Sequence, residues 1–186
     1  MTDGHAVLRG DRVLLRRAEP ADAHARVANG RHPEIQRMYG DDRPDPAPYT
    51  LEQAHQWVER IAQDPLHWVI EHEGSCIGET RLHTVVPQDS RASLAVGLQS
   101  PDVLGKGLGT EAVGLVLGHA FGILGLHRVA LRVIAFNERA IRCYEKCGFV
   151  VEGRERQSAR VGNEWHDDVI MGALASDWRE REDRHG

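Results

Sequence analysis

Two rhythms of apolar positions alternate along the chain. Leu51, Ala54, Trp57, Val58 and Ile61 recur at helical spacing, behind Thr50 as N-cap and Gln53 three residues later, which predicts an amphipathic helix. The period then shortens. His67 to His72, a Glu73-Gly74 turn and Cys76 to Val86 read as a hairpin closed by Pro87. Upstream, Arg12 to Arg16 is a short strand, and Glu19-Pro20-Ala21 opens a helix that Asn29-Gly30 ends. The run from Gly40 to Tyr49 carries three prolines and three aspartates and reads as an exposed loop. Downstream, Arg91 to Leu98 is a strand in which the isolated Gly97 signals a bulge or a close approach of backbone to ligand. Ala112, Leu115, Val116, His119, Ala120 and Ile123 then carry a helix to about Leu124. Arg128 to Ile134 is a strand, Asn137 to Cys147 a helix ended by Gly148, and Phe149 to Glu155 and Trp165 to Leu174 are the last strands.

Hairpins at both ends with a strand–helix–strand unit between them predict an α+β or mixed α/β sheet. At 186 residues one domain is expected, with a core over residues 10–175 and flexible termini. A formal charge of -5 leaves no basic field for nucleic acid, although Arg154, Arg156 and Arg160 form a local cluster. No apolar run is long enough to cross a bilayer and the N-terminus has no signal pattern, so a cytoplasmic protein without membrane contact is expected. Cys76, Cys143 and Cys147 have no zinc spacing and read as reduced core thiols; the eleven histidines show neither HxH nor HExxH, so no metal is expected.

The segment Gly105 to Ala112, GKGLGTEA, changes the picture from fold to chemistry. Gly105, Gly107 and Gly109 leave no side chain between backbone and ligand, and they precede a helix whose first N–H groups have no intrahelical partner. Such a start binds an anion through geometry and dipole, with Lys106 as a nearby cation and Thr110 as a hydroxyl donor. The spacing is not that of a P-loop, because Lys106 is followed by Gly107, nor of a dinucleotide fingerprint, because GxGxG replaces GxGxxG and follows a late strand.

GKGLGTEA together with NERAIRCYEKCGFVVEG, Asn137 to Gly153, resembles the two signatures of the GNAT superfamily of acyl-CoA-dependent N-acetyltransferases. Gly162 to Leu174 is similar to the last hairpin of its ribosomal-protein N-terminal acetyltransferase (Rim-like) branch, which is related to the aminoglycoside acetyltransferases. The resemblance implies a central twisted, mostly antiparallel sheet splayed between the fourth and fifth strands and flanked by helices. It further implies that acetyl-CoA is the acyl donor, with its pantetheine arm along Val96, Gly97 and Leu98, Gly97 being the splaying point. Gly105, Lys106, Gly107, Leu108, Gly109 and Thr110 would hold the pyrophosphate, Asn137 would bond the cofactor near its amide, and Tyr144 would stand beside the sulfur as general acid for the thiolate. Leu104 departs from the Gln or Arg of many relatives, which leaves main-chain donors to carry the phosphate contact.

The base is read from the residues alone. Glu79 is the first choice, as a strand carboxylate whose pKa burial can raise; His83, Asp168 and a water chain are alternatives. The acceptor is expected to be a primary amine, on a small molecule or a protein N-terminus, approached over the first two helices and the loop with Asp41, Asp42 and Asp45. The expected assembly is a monomer or homodimer. A non-catalytic acyl-CoA-binding module is the alternative reading, against which the presence of both Asn137 and Tyr144 weighs.

Overall fold

The Thr50 capping box forms as its residues predict: the hydroxyl accepts from the Gln53 N–H, and Gln53 Oε1 accepts from the Thr50 N–H, both at 3.2 Å. The Glu73-Gly74 turn forms with both residues at positive φ, 51° and 76°, the handedness that a tight hairpin needs. The computed structural model describes residues 5–185. Among them the strands are β1 (Leu8–Arg9), β2 (Leu14–Arg16), β3 (His67–His72), β4 (Ser75–Val86), β5 (Arg91–Leu98), β6 (Arg128–Ile134), β7 (Val150–Val161) and β8 (Glu164–Leu174). The helices are α1 (Asp22–Asn29), α2 (Pro33–Arg37), α3 (Leu51–Ala62), α4 (Leu108–Gly118), α5 (Glu138–Lys146) and α6 (Ala175–His185).

All eight strands join one sheet in the order β1-β2-β3-β4-β5-β6-β8-β7. Every neighbouring pair is antiparallel except β5 and β6, which run parallel because α4 carries the chain across between them. The expected mixed sheet is therefore present. Its splay falls between Arg91–Leu98 and Arg128–Ile134, the fourth and fifth strands by the sequence reading, which lacked the two-residue β1. These strands pair only at Arg91↔Arg128, Ala92↔Val129 and Ser93↔Ala130. Gly97 is not where they part. It stays in unbroken register opposite Glu79, and the separation begins four residues earlier.

Each face of the sheet has its own core. On one, α4 is apolar nearly all round and buries Leu108, Ala112, Val113, Val116 and Leu117 against Leu82, Leu94, Val129, Leu131 and Met171. On the other, α1 and α3 cover Val69 and Cys76 with Ala23, Ala54, Trp57, Val58 and Ile61. Arg16 ties this layer down: Nη1 and Nη2 each reach the buried Asp22 carboxylate at 2.8 Å, and Nε reaches Glu71 at 2.5 Å.

Three elements depart from the sequence reading for local reasons. The helix expected to run to Leu124 is α-helical only to Gly118. His119–Ile123 forms a π turn closed by Leu124 N–H to His119 O at 3.0 Å, with Gly122 inside it. The strand expected at Phe149–Glu155 continues to Val161, because its register shifts between Glu155 and Ala159 and hides the alternation. The strand expected at Arg12–Arg16 begins only at Leu14, since the Arg12 and Val13 N–H groups bond Glu111 instead of a strand. Among the described residues no helix is long and apolar enough to cross a membrane.

Candidate active site

Once β5 and β6 have parted, each is held from its outer side alone. Residues 94–98 of β5 keep their ladder with β4, and residues 131–134 of β6 keep theirs with β8. The inner edges face each other across a cavity of about 950 Å³, lined by β5 from Ser93 to Leu98, β6 from Ala130 to Ile134, the loop before α4, and α5.

The loop before α4 closes one end. Gly105 and Gly107 have φ of 73° and 80°, a left-handed backbone that β-carbon sterics disfavour. Gly107 is the N-cap and has no side chain to cap with, so the N–H groups that open α4 at Leu108, Gly109 and Thr110 are left for a partner outside the helix. The loop is braced from the turn before β2 by residues that the sequence did not single out. Arg12 Nη1 donates to Lys106 O at 2.8 Å, its Nε meets Glu111 at 3.0 Å, and Glu111 Oε1 takes the Arg12 and Val13 N–H groups at 2.7 and 3.1 Å. Burial works to raise the Glu111 pKa, and these donors outweigh it and hold it below the usual carboxylate range. The signal was present as an acid in the first turn of a helix; its partner, 99 positions away, was not.

Two expected contributions of this loop are not made. Lys106 is exposed and does not line the cavity, whereas Arg139, Arg142 and Lys146 of α5 do, so the positive charge comes from the facing helix. The Thr110 hydroxyl donates to Cys143 Sγ at 3.3 Å, which leaves its N–H as the group free to face an anion. Leu104 lines the cavity, as do Val96, Gly97, Leu98, Gly105, Gly107, Leu108, Gly109, Asn137 and Tyr144.

Asn137 is the N-cap of α5, with its Oδ1 accepting from Ala140 N–H at 3.2 Å; the amide NH₂ is the part that remains for a ligand. Two turns on, Tyr144 is buried with its ring edge against Phe149, and its hydroxyl has no hydrogen bond among the described residues. Burial, and then the nearby Tyr39, Cys143 and Cys147, raise its pKa, so the phenol keeps its proton. Tyr39 was missed. It follows α2, whose start was marked only by Pro33, and its hydroxyl reaches Val96 O at 3.5 Å. A β-carbon at position 97 would lie 2.6 Å from the Tyr39 oxygen, so the Tyr39 ring would have to shift to admit one, and there is no bulge. The Tyr39 side chain is more than half exposed; desolvation on its cavity side, then Glu79, raise its pKa, so this phenol too is protonated near pH 7.

Glu79 does not have the environment expected of it. Its oxygens are taken by His67 Nε2 at 2.6 Å and Trp57 Nε1 at 3.1 Å, with Arg26 at 3.7 Å. Burial pulls the carboxyl upward, but His67, Arg26 and Trp57 outweigh it and its pKa is lowered, opposite to the expected rise. Nor does it line the cavity. His83 and Asp168 both do. Burial, with Arg81 nearby, lowers the His83 pKa and keeps its imidazole neutral near pH 7. Asp168 is buried, accepting from Ser158 Oγ at 2.9 Å, with Arg132 Nε as an ion-pair partner at 3.2 Å. Among the described residues no three His, Cys, Asp or Glu side chains are grouped to hold a metal ion.

The chain that carries this site is similar to known proteins. The model of the acetyltransferase (GNAT) domain matches residues 12–150. The uncharacterised N-acetyltransferase YoaA of Bacillus subtilis is 28% identical over 81% of this chain and 86% of its own. Spermidine N(1)-acetyltransferase of Escherichia coli is 31% identical over 59% of this chain. The putative ribosomal N-acetyltransferase YdaF of Bacillus subtilis is 30% identical over 58%, and the chain spans 58% of each of these two relatives. The crystal structure of a putative acetyltransferase from T. thermophilus superposes with a TM-score of 0.79 at 27% identity, covering 99% of this chain and 97% of that one. The chain belongs to the GNAT family and is an acyl-CoA-dependent N-acetyltransferase.

Proposed function

We propose that this chain is a single acetyltransferase domain, with its core over residues 10–175, that moves the acetyl group of acetyl-CoA to the primary amine of an acceptor carrying little positive charge, a peptide N-terminus being the type. The observation that carries the reading is the unpaired inner edge of β5, which leads from the glycine loop to Tyr144 and Tyr39. The N–H groups of 108–110 and the cations of α5 suit a pyrophosphate, and the β5 edge from Val96 to Leu98 suits an amide-bearing arm. Acetyl-CoA supplies the activated acyl group as a thioester.

The residues then divide the work. A phenol whose pKa is raised above its ordinary value is a weaker proton donor and still a hydrogen-bond donor. Tyr144 therefore stabilises the departing sulfur by donating a hydrogen bond to it, and the proton that neutralises the sulfur comes from the acylated nitrogen. Tyr144→Phe should lower kcat by about 10²-fold while acetyl-CoA affinity by calorimetry changes less than about twofold. Unchanged turnover would remove the role.

His83, neutral and at the cavity wall, is assigned to accept the amine's proton, directly or through water, whereas Glu79 anchors α1 and α3 to β4. A group with lowered folded-state pKa is in its basic form above that value, so kcat should fall as pH drops below the ordinary histidine value of 6.5, and His83→Gln should erase that limb. A limb that survives in His83→Gln and vanishes in Glu79→Gln returns the role to Glu79.

The acceptor class follows from charge. With the α5 cations given to the pyrophosphate, the other charged residues lining the cavity, among the described residues, are Arg132, Arg160 and one carboxylate, Asp168, which is already paired with Arg132. A polyamine would find no unpaired carboxylate there. The resemblance to the ribosomal-protein N-terminal acetyltransferase branch supports this reading, with YdaF at 30% identity over 58% of the chain against 31% over 59% for the spermidine enzyme. In a thiol-release assay, peptide N-termini should exceed spermidine and spermine at least about tenfold in kcat/KM. Spermidine as the best acceptor would overturn the assignment.

A further inference from the structure

Among the described residues four side-chain nitrogens are buried without a hydrogen-bond partner, and three of them gather where α1 ends: Arg26 Nε, Arg31 Nε and Gln99 Nε2. Folded proteins leave few such groups unpaired, so three in one place call for a partner. Asn29, the last residue of α1, donates to Gln99 Oε1 at 3.2 Å, which leaves the Gln99 amide N–H groups as the unused half. The two guanidinium groups share one ring. Arg26 Cζ lies 4.5 Å and Arg31 Cζ 4.1 Å from the centre of Tyr49, and Trp57 holds Arg26 from 4.2 Å. Stacking fixes a guanidinium by its face and leaves its N–H edge for an acceptor. The charges do not balance either. Arg26 has Glu79 at 3.7 Å, but that carboxylate already takes His67 and Trp57. The Arg31 side chain has no hydrogen bond or ion pair among the described residues, and Asp41, which feels its charge, is bonded by Arg43 Nε at 2.8 Å.

The cluster adjoins the acceptor side of the cavity. Glu79 stands directly opposite Gly97 in the ladder, so the two positions share a face of the sheet, and on that face the Tyr39 oxygen comes up against Gly97. Tyr39 lines the cavity beside Tyr144, and Gln99 follows Leu98, the last wall residue of β5. Contacts therefore run from the wall through Tyr39 and Glu79 to Arg26, Tyr49 and Arg31. The unused groups are all donors, two of them on cations with planar edges. A second cation would be repelled, and a neutral amide would leave the Arg31 charge uncompensated; a carboxylate meets both demands. We propose that Arg31 and Arg26, with the Gln99 amide, form a carboxylate site that reads an acidic group of the acceptor. The group is an Asp or Glu side chain in the first two positions of a peptide, or the α-carboxylate of an amino acid. Its use in selecting acceptors rests on the reading of the cavity as an amine-acetylating site; its affinity for a carboxylate does not.

A thiol-release assay with amidated tetrapeptides that differ only by Glu or Gln, at position 1 or at position 2, tests the selection. Glutamine against its α-amide tests the second source. In at least one of these pairs the acid should exceed its amide about tenfold in kcat/KM, chiefly through KM, and Arg31→Gln should bring that ratio close to one. Because each ratio is taken within one variant, a loss of folded protein lowers both members and leaves it unchanged. Ratios near one in every pair, or a ratio undiminished in Arg31→Gln, would overturn the selection. The site itself is read without turnover, by NMR of the arginine Nε–H groups. Glutarate should move the Arg26 and Arg31 resonances saturably, and glutaramide should not. Resonances that stay put would overturn the carboxylate site. Resonances that move, in a protein that acetylates none of these amines, would leave the site standing and refute the acceptor reading.

Discussion

The rest of the structure depends on a ladder that stops. Two parallel strands pair for three residues and then separate, which exposes backbone N–H and C=O groups on β5 that a continuous sheet would have consumed. Each such group, left buried and unbonded, costs about 1–3 kcal/mol, so the edge is a standing demand for water or for a ligand with amides of its own. Beyond Ser93 and Ala130 each strand keeps its outer ladder, β5 with β4 and β6 with β8, so both halves of the sheet stay intact as they diverge.

What surrounds the gap has a matching electrical logic. One end is an uncapped helix N-terminus, braced by the Arg12–Glu111 pair and faced by the cations of α5; along it stand two protonated phenols, Tyr144 buried and Tyr39 exposed. Anionic ligand groups are favoured at the first place and developing negative charge at the second. The two carboxylates considered for the site are spent on their neighbours: Glu79, behind the cavity wall, on His67 and Trp57, and Asp168, on the wall, on Arg132 and Ser158. A site that has neutralised its own acids suits an acceptor that does not arrive as a polycation.

The sequence made legible those parts whose determinants are local. The capping box at Thr50, the Glu73-Gly74 turn and the glycine loop each need only a few adjacent residues, and each is where it was expected. The roles of Lys106, Glu79 and Gly97 were misjudged because distant residues decide them: α5 supplies the cations, α3 and β3 take up the Glu79 carboxylate, and Tyr39 occupies the space above Gly97. Helix α2 and Tyr39 went unseen since five residues carry too little periodicity to register, although Pro33 marked the start. The splay itself was expected from family resemblance alone. Nothing in RASLAVGL says that Ser93 is the last residue to find a partner on β6.

The central claim is that the inner edge of β5 and the first N–H groups of α4 together receive the acyl donor. Amide hydrogen exchange, read by mass spectrometry with and without acetyl-CoA, tests it without any substitution. The account predicts marked slowing at two separate segments, residues 94–98 and 107–111, with the α1 and α3 amides unchanged. Slowing confined to other segments, or none at saturating acetyl-CoA, would contradict it.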